Sequence, residues 1–145
     1  MMSEILVRYL HFIGILVLAA TLFYELLTLK AETPIAMIRR LARIDGLYGA
    51  SAMIVLLAGL ALWLWVGKPA AFYADNVLFH IKLGVFVLVA VLSLFPTVFL
   101  LRQRNAADEI VRVPKTVLLV LRIEAGMLLL MPLLAVLMAR GYGLP

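Results

Sequence analysis

Four long apolar runs decide what this chain can become. They can be drawn at about residues 5–29, 45–66, 77–101 and 116–139, and each reaches the roughly 20 residues that a helix needs to cross the hydrocarbon of a bilayer. With no water there to pair the backbone, every peptide group must be satisfied within its own segment, so such runs form helices. The rest of the sequence is connector. The expectation is a single domain over residues 1–145, an all-α integral membrane four-helix bundle. Hydrophobic residues make up 66% of the chain and charged ones 14%, against roughly a quarter charged in soluble domains, so the soluble globular classes are excluded.

The first run is too long for the core of a signal peptide, and no small-x-small cleavage pattern follows it before Lys30. It is therefore read as a retained helix. Without cysteine the chain forms no disulfide, thioether-linked haem or thiolate metal site. No cluster of histidines and carboxylates has metal-ligand spacing, and nucleotide and nucleophile motifs are absent. The pI of about 9.9 does not point to nucleic acid, because the basic residues bracket helix ends. The first and third connectors carry Lys30, Arg39, Arg40, Arg43, Arg102, Arg104, Arg112 and Lys115, against Arg8, Lys68 and Arg140 at the opposite level. By the positive-inside rule this predicts cytoplasmic first and third connectors and periplasmic termini in a bacterial inner membrane. Trp63, Trp65, Phe72 and Tyr73 fit an outer aromatic belt. Thr33-Pro34 reads as an N-cap and first helical residue, opening a short cytoplasmic helix before the second span; Pro114 can open the fourth span in the same way.

The two halves echo each other weakly. Leu10-His11-Phe12-Ile13-Gly14-Ile15 is similar to Phe79-His80-Ile81-Lys82-Leu83-Gly84-Val85, and Arg43-Ile44-Asp45-Gly46 to Arg122-Ile123-Glu124-Ala125-Gly126, each with one inserted residue. Such a duplication is parallel, about an axis along the membrane normal.

Ionisable groups inside the spans are the clue to function, because each is costly there and needs a reason. His11 and Glu25 are 14 positions apart, which at 3.6 residues per turn leaves them within about 40° of one face and about 21 Å apart along it. Gly14, Leu18 and Thr21 lie on or near that stripe. Lys82 shares a face with Val89, Ser93 and Pro96, with Thr97 beside it, whereas His80 points about 160° away from Lys82. His11 and Lys82 are thus expected at one depth. Two readings of the pair stay open: snorkelling or capped helix ends, and nitrogen donors facing a pocket, either as ligands or partners of haem b or as a proton relay. A second constellation, Glu25, Asp45, Thr97, Arg122 and Glu124, is expected as a buried polar cluster at the cytoplasmic level. It can be an ion-pair clasp in which Arg122 serves two carboxylates, or a path for protons or substrate. Pro96 and Pro132 each free a helical carbonyl. Met53, Met127 and Met131 are read as apolar filler rather than sulfur ligands.

Tyr9-Leu10-His11, Glu25-Leu26-Leu27, the run from Arg40 to Gly49, Ala71-Phe72-Tyr73, Phe79-His80-Ile81-Lys82-Leu83, Pro96-Thr97 and Arg122-Ile123-Glu124 together resemble an uncharacterised family of four-span bacterial membrane proteins carrying a domain of unknown function. The resemblance covers nearly the whole chain and implies the four-span fold without an activity. More remotely, His11 and the His80-x-Lys82 pair look like the HemJ-type protoporphyrinogen oxidases. That likeness implies a haem b-associated, redox-related role with His11 and Lys82 at the cofactor. The chain lacks a Leu-Pro-Arg pattern after His11 and a Pro-Thr after Glu124, which leaves enzymatic activity open. The alternatives are a small transporter or proton-pathway protein, favoured by the stripe from His11 to Glu25, and an assembly subunit. Gly46, Gly49, Ala50, Ala52 and Gly59 suit helix packing and a homo-oligomer. The bilayer itself is the expected partner.

Overall fold

The computed structural model describes all residues, 1–145. Four long helices dominate it: α1 (Met2–Thr28), α2 (Ile35–Ala61), α4 (Val77–Gln103) and α5 (Lys115–Ala139), with the short α3 (Ala70–Ala74) between α2 and α4. α2 runs on through a π-helical turn over Leu62–Val66, so its helical course covers 32 residues. Around the bundle the order is α1, α2, α4, α5, with α1 and α4 each packed against both α2 and α5. Sequence neighbours are antiparallel. The outward faces consist of side chains such as Leu16, Leu57, Val91, Leu94 and Leu129, all more than half exposed, a surface that only lipid hydrocarbon accommodates over this length.

The connectors from α1 to α2 and from α4 to α5 do something periodicity did not announce. β1 (Glu32–Pro34) pairs antiparallel with β2 (Ile110–Arg112), matching Glu32 with Arg112, Thr33 with Val111 and Pro34 with Ile110. This two-stranded ribbon ties the halves together at one end of the bundle. Backbone bonds from Ile35 to Glu109 and from Val113 to Ala31 extend it on both sides. Thr33 therefore does not cap α2: its hydroxyl donates to the Lys30 carbonyl at 2.9 Å and accepts the Lys30 N–H at 3.1 Å. Pro34 and Pro114 are the N-cap residues of α2 and α5, one place earlier than the first helical turn. The expected short helix exists only as the first turns of α2, unbroken into the span. Nothing between Ile35 and Asp45 interrupts the helix: there is no proline or positive φ there.

Each half thus reads helix, strand, proline, helix. Asp45 stands ten residues after Ile35 and Glu124 nine residues after Lys115, so the echo of the halves places a buried carboxyl at nearly the same point of each second helix.

An apolar core fills the ribbon end: Leu22, Leu29, Ile38, Leu41, Leu100, Val111, Val113, Val117 and Leu121 are all buried. At the other end the aromatic residues cluster, with the Phe79 ring 4.9 Å from Trp63 and 5.5 Å from Tyr73 between centroids. The chain closes there on the start of α4. Asn76, fully buried, accepts the Leu78 N–H at 2.9 Å and donates to the Tyr142 carbonyl at 3.2 Å, supplying the N-cap that α4 needs. Gly143 sits against it at φ 85°, where a Cβ would stand 2.5 Å from Asn76 Oδ1.

Candidate functional site

Helical spacing brings three carboxyl groups to the bundle axis. Glu25 on α1, Asp45 on α2 and Glu124 on α5 are 2%, 5% and 0% exposed. Glu25 faces both other carboxyls, and Thr97 from α4 approaches Asp45. Tyr48, one turn beyond Asp45 on the same face of α2, points its hydroxyl at Glu124 Oε1 across 3.5 Å, with Ser93 of α4 beside it. All four long helices contribute. Thr21 and Ser51 line the same interior, but their hydroxyls are used on their own helices, donating to carbonyls at 2.8 Å.

No basic side chain enters this cluster. Arg122 lies on the exposed face of α5, and the one ion pair of the chain is Arg8 with Glu4. The reason is angular: two residues along a helix turn the side chain by about 200°, so Arg122 and Glu124 cannot both look inward. The cluster is therefore not the arginine clasp that the sequence suggested. Glu25 Oε1 and Glu124 Oε2 are buried with no hydrogen-bond partner, a costly state for a carboxyl in an interior. Replacing Arg122 by alanine is accordingly expected to change stability by no more than about 0.5 kcal/mol, as for other surface substitutions. Equal melting temperatures of Arg122→Ala and Arg102→Ala in detergent are the check.

The cluster is closed on both sides by apolar layers. Towards the ribbon lie Leu29, Ile38, Leu41, Leu100, Val117 and Leu121, and towards the termini lie Leu18, Val55 and Val89, all buried.

Beyond that second layer stands the other pair. The His11 Nδ1 is 3.0 Å from the Val55 carbonyl oxygen, and the ring rests on Gly59, where an added Cβ would approach its Cε1 to 3.3 Å. α1 can come this close because Gly14, one turn further along, lies against Val55 and Ile54. Lys82 lies near enough to His11 for its charge to act on the imidazole; it is largely withdrawn from the surface and has no carboxylate partner. His80 points the other way, exposed, with Nε2 2.8 Å from the Ala74 carbonyl oxygen. The small residues of α2 divide: Gly46, Gly49 and Ala50 face outward, with open space at both glycines, while Gly59 faces His11.

Tyr48 is the member of the cluster that charge alone does not reveal. Its spacing gives it away, since Asp45, Tyr48 and Ser51 recur every three residues on one face of α2.

A family model described as "Predicted membrane protein (DUF2214)" matches residues 3–143. The chain belongs to this family. No curated protein matches the chain, and no solved structure does. The family description agrees with four helices long and apolar enough to cross a membrane and names no ligand or reaction.

Proposed function

We propose that this member of the family is a proton pathway: a small inner-membrane protein in which the Glu25, Asp45 and Glu124 carboxyls receive and pass protons through the bundle. The observation that carries this reading is the absence of any basic partner for three buried carboxyl groups, two of which have an unpaired oxygen. A structural site would satisfy those atoms. Carboxyls that exchange protons across a low-dielectric interior are a recurrent device of pumps and transporters. Tyr48 bridges towards Glu124 and can relay a proton through its hydroxyl. His11 and Lys82 form the second station, near the termini. The layer of Leu18, Val55 and Val89 between the stations keeps the resting bundle closed, so protons cross only when the helices shift or water enters. The excess of basic residues at the ribbon end directs that end to the cytoplasm and the termini to the periplasm.

The test is proton flux into proteoliposomes containing a pH-sensitive dye, driven by a potassium diffusion potential. Protein-containing vesicles are expected to acidify or alkalise about ten-fold faster than protein-free ones, a modest demand on positioned proton-transfer groups. A rate equal to that of protein-free vesicles would sink the reading.

A second reading is favoured by one observation at the outer station. The bond between His11 Nδ1 and the Val55 carbonyl is of the kind that orients a metal-ligating imidazole, and it engages Nδ1 rather than Nε2. Haem b held by His11, with Lys82 as second ligand or as partner of a propionate, would supply one-electron chemistry. Protein from haem-replete cells is then expected to show a Soret band that survives His80→Ala and disappears in His11→Ala. Colourless protein that takes up no added hemin rules it out.

A further inference from the structure

A separate site stands at the ribbon end, on the outside of the α2–α4 contact. There Arg39, Arg43, Arg104 and Asn105, with Ala42 between them, line a cavity of about 320 Å³. Its parts come from two elements. Arg39 and Arg43 are four residues apart on the first turns of α2 and so share a face, while Arg104 and Asn105 follow the end of α4. The elements are fixed to each other here: Arg39 Nε donates to the Arg104 carbonyl at 3.1 Å. That bond holds the guanidinium in place and leaves both terminal nitrogens free.

The lining residues include three arginines and no carboxylate, and none of the three has an ion-pair partner elsewhere. Asp108 and Glu109, close by in sequence, line a different cavity with Arg112. Three like charges around one cavity repel each other, and an anion bound among them relieves that repulsion. Planar, forked donors match a tetrahedral oxyanion better than any other group. The volume lies at the small end of ligand pockets, which span about 300–1,000 Å³, enough for a phosphate and its first substituent. The cavity lies where long apolar helices give way to the basic connectors, the level of lipid headgroups.

We propose that Arg39, Arg43 and Arg104 form a phosphate-binding site for a phosphomonoester anion. Lipid headgroups and free phosphate share this chemistry. The proposal is independent of the proton pathway, since none of these residues belongs to the carboxyl cluster.

The experiment uses the full chain purified in a neutral detergent and measures binding of short-chain phosphatidic acid, with phosphatidylcholine of the same chain length and inorganic phosphate alongside. Phosphatidic acid is expected to bind about ten-fold more weakly to Arg43→Ala and to Arg104→Ala than to the wild type, the loss expected for removing a charge-assisted forked contact. Arg43→Lys, which keeps the charge but not the fork, is expected to fall between. Lys115→Ala, which removes the same charge from the same end of the molecule outside the cavity, is expected to change binding less than two-fold. Competition by millimolar inorganic phosphate assigns the site to free phosphate, and resistance to it assigns the site to a lipid headgroup. Equal weakening by Lys115→Ala and Arg43→Ala overturns the proposal, because diffuse surface charge would then explain the binding. So does equal affinity for phosphatidylcholine, whose headgroup carries no net charge.

Discussion

Glu124→Gln is expected to lower proton flux to the level of protein-free vesicles while leaving the fold as stable as before. Glutamine keeps the shape of the side chain and can hydrogen-bond Tyr48, but it cannot take up and release a proton at neutral pH. Its effect on stability follows from what Glu124 lacks. Breaking a buried ion pair costs about 3–5 kcal/mol, because the abandoned charge stays buried; here there is no ion pair to break, since Arg122 faces outward. Replacing a carboxyl whose Oε2 is unpaired is instead expected to shift stability by less than about 1 kcal/mol, in either direction. Flux in proteoliposomes and thermal unfolding in detergent, measured on the same preparation, separate the two roles. Retained flux with a large fall in melting temperature would make the cluster a structural clasp after all.

Gly14→Leu is expected to disrupt the contact between α1 and α2. A Cβ at Gly14 would stand 2.9 Å from Val55 Cγ2, 3.2 Å from Ile54 Cγ2 and 3.4 Å from the Val55 backbone nitrogen. The first two are too tight for those methyls to stay in place, and with the Val55 backbone already in contact at 3.4 Å the rest of a leucine side chain has no room unless α1 and α2 separate. Overpacking of this kind costs about 1–3 kcal/mol, and the separation also pulls His11 from the Val55 carbonyl, worth about 1 kcal/mol more as a lost hydrogen bond. Gly14→Ala is expected to show a smaller fall in melting temperature of the same sign. Gly46→Ala, whose Cβ meets nothing within 4 Å, is the control that should melt like the wild type. A Gly14→Leu variant that melts with the wild type would show that the two helices do not meet there.

The helices were legible because each span repeats one physical demand over more than 20 residues. The polar groups were legible in part. Angular spacing along α1 put His11, Gly14, Leu18, Thr21 and Glu25 on one stripe, and the last four are buried in the bundle. The same arithmetic separates Lys82 from His80. Applied to α5 it also separates Arg122 from Glu124, which share a depth in the bundle but not a face. The ribbon was not legible. Its strands are three residues long, too short for an alternating pattern, and they pair across nearly eighty residues of intervening chain. Thr33-Pro34 carries helix-start chemistry at the sequence level, but tertiary pairing with Val111 and Ile110 claims both residues for a strand. The Arg39, Arg43 and Arg104 cavity was visible only as charge, because its shape depends on how the end of α4 meets the start of α2.

The central claim, that the buried carboxyls carry protons, is tested most directly by infrared difference spectroscopy of the reconstituted protein across a pH step. The account requires a protonated-carboxyl stretching band that changes with pH, and this band should lose intensity separately in Glu25→Gln and in Glu124→Gln. A spectrum with no such change, or one unaltered by both substitutions, would contradict it.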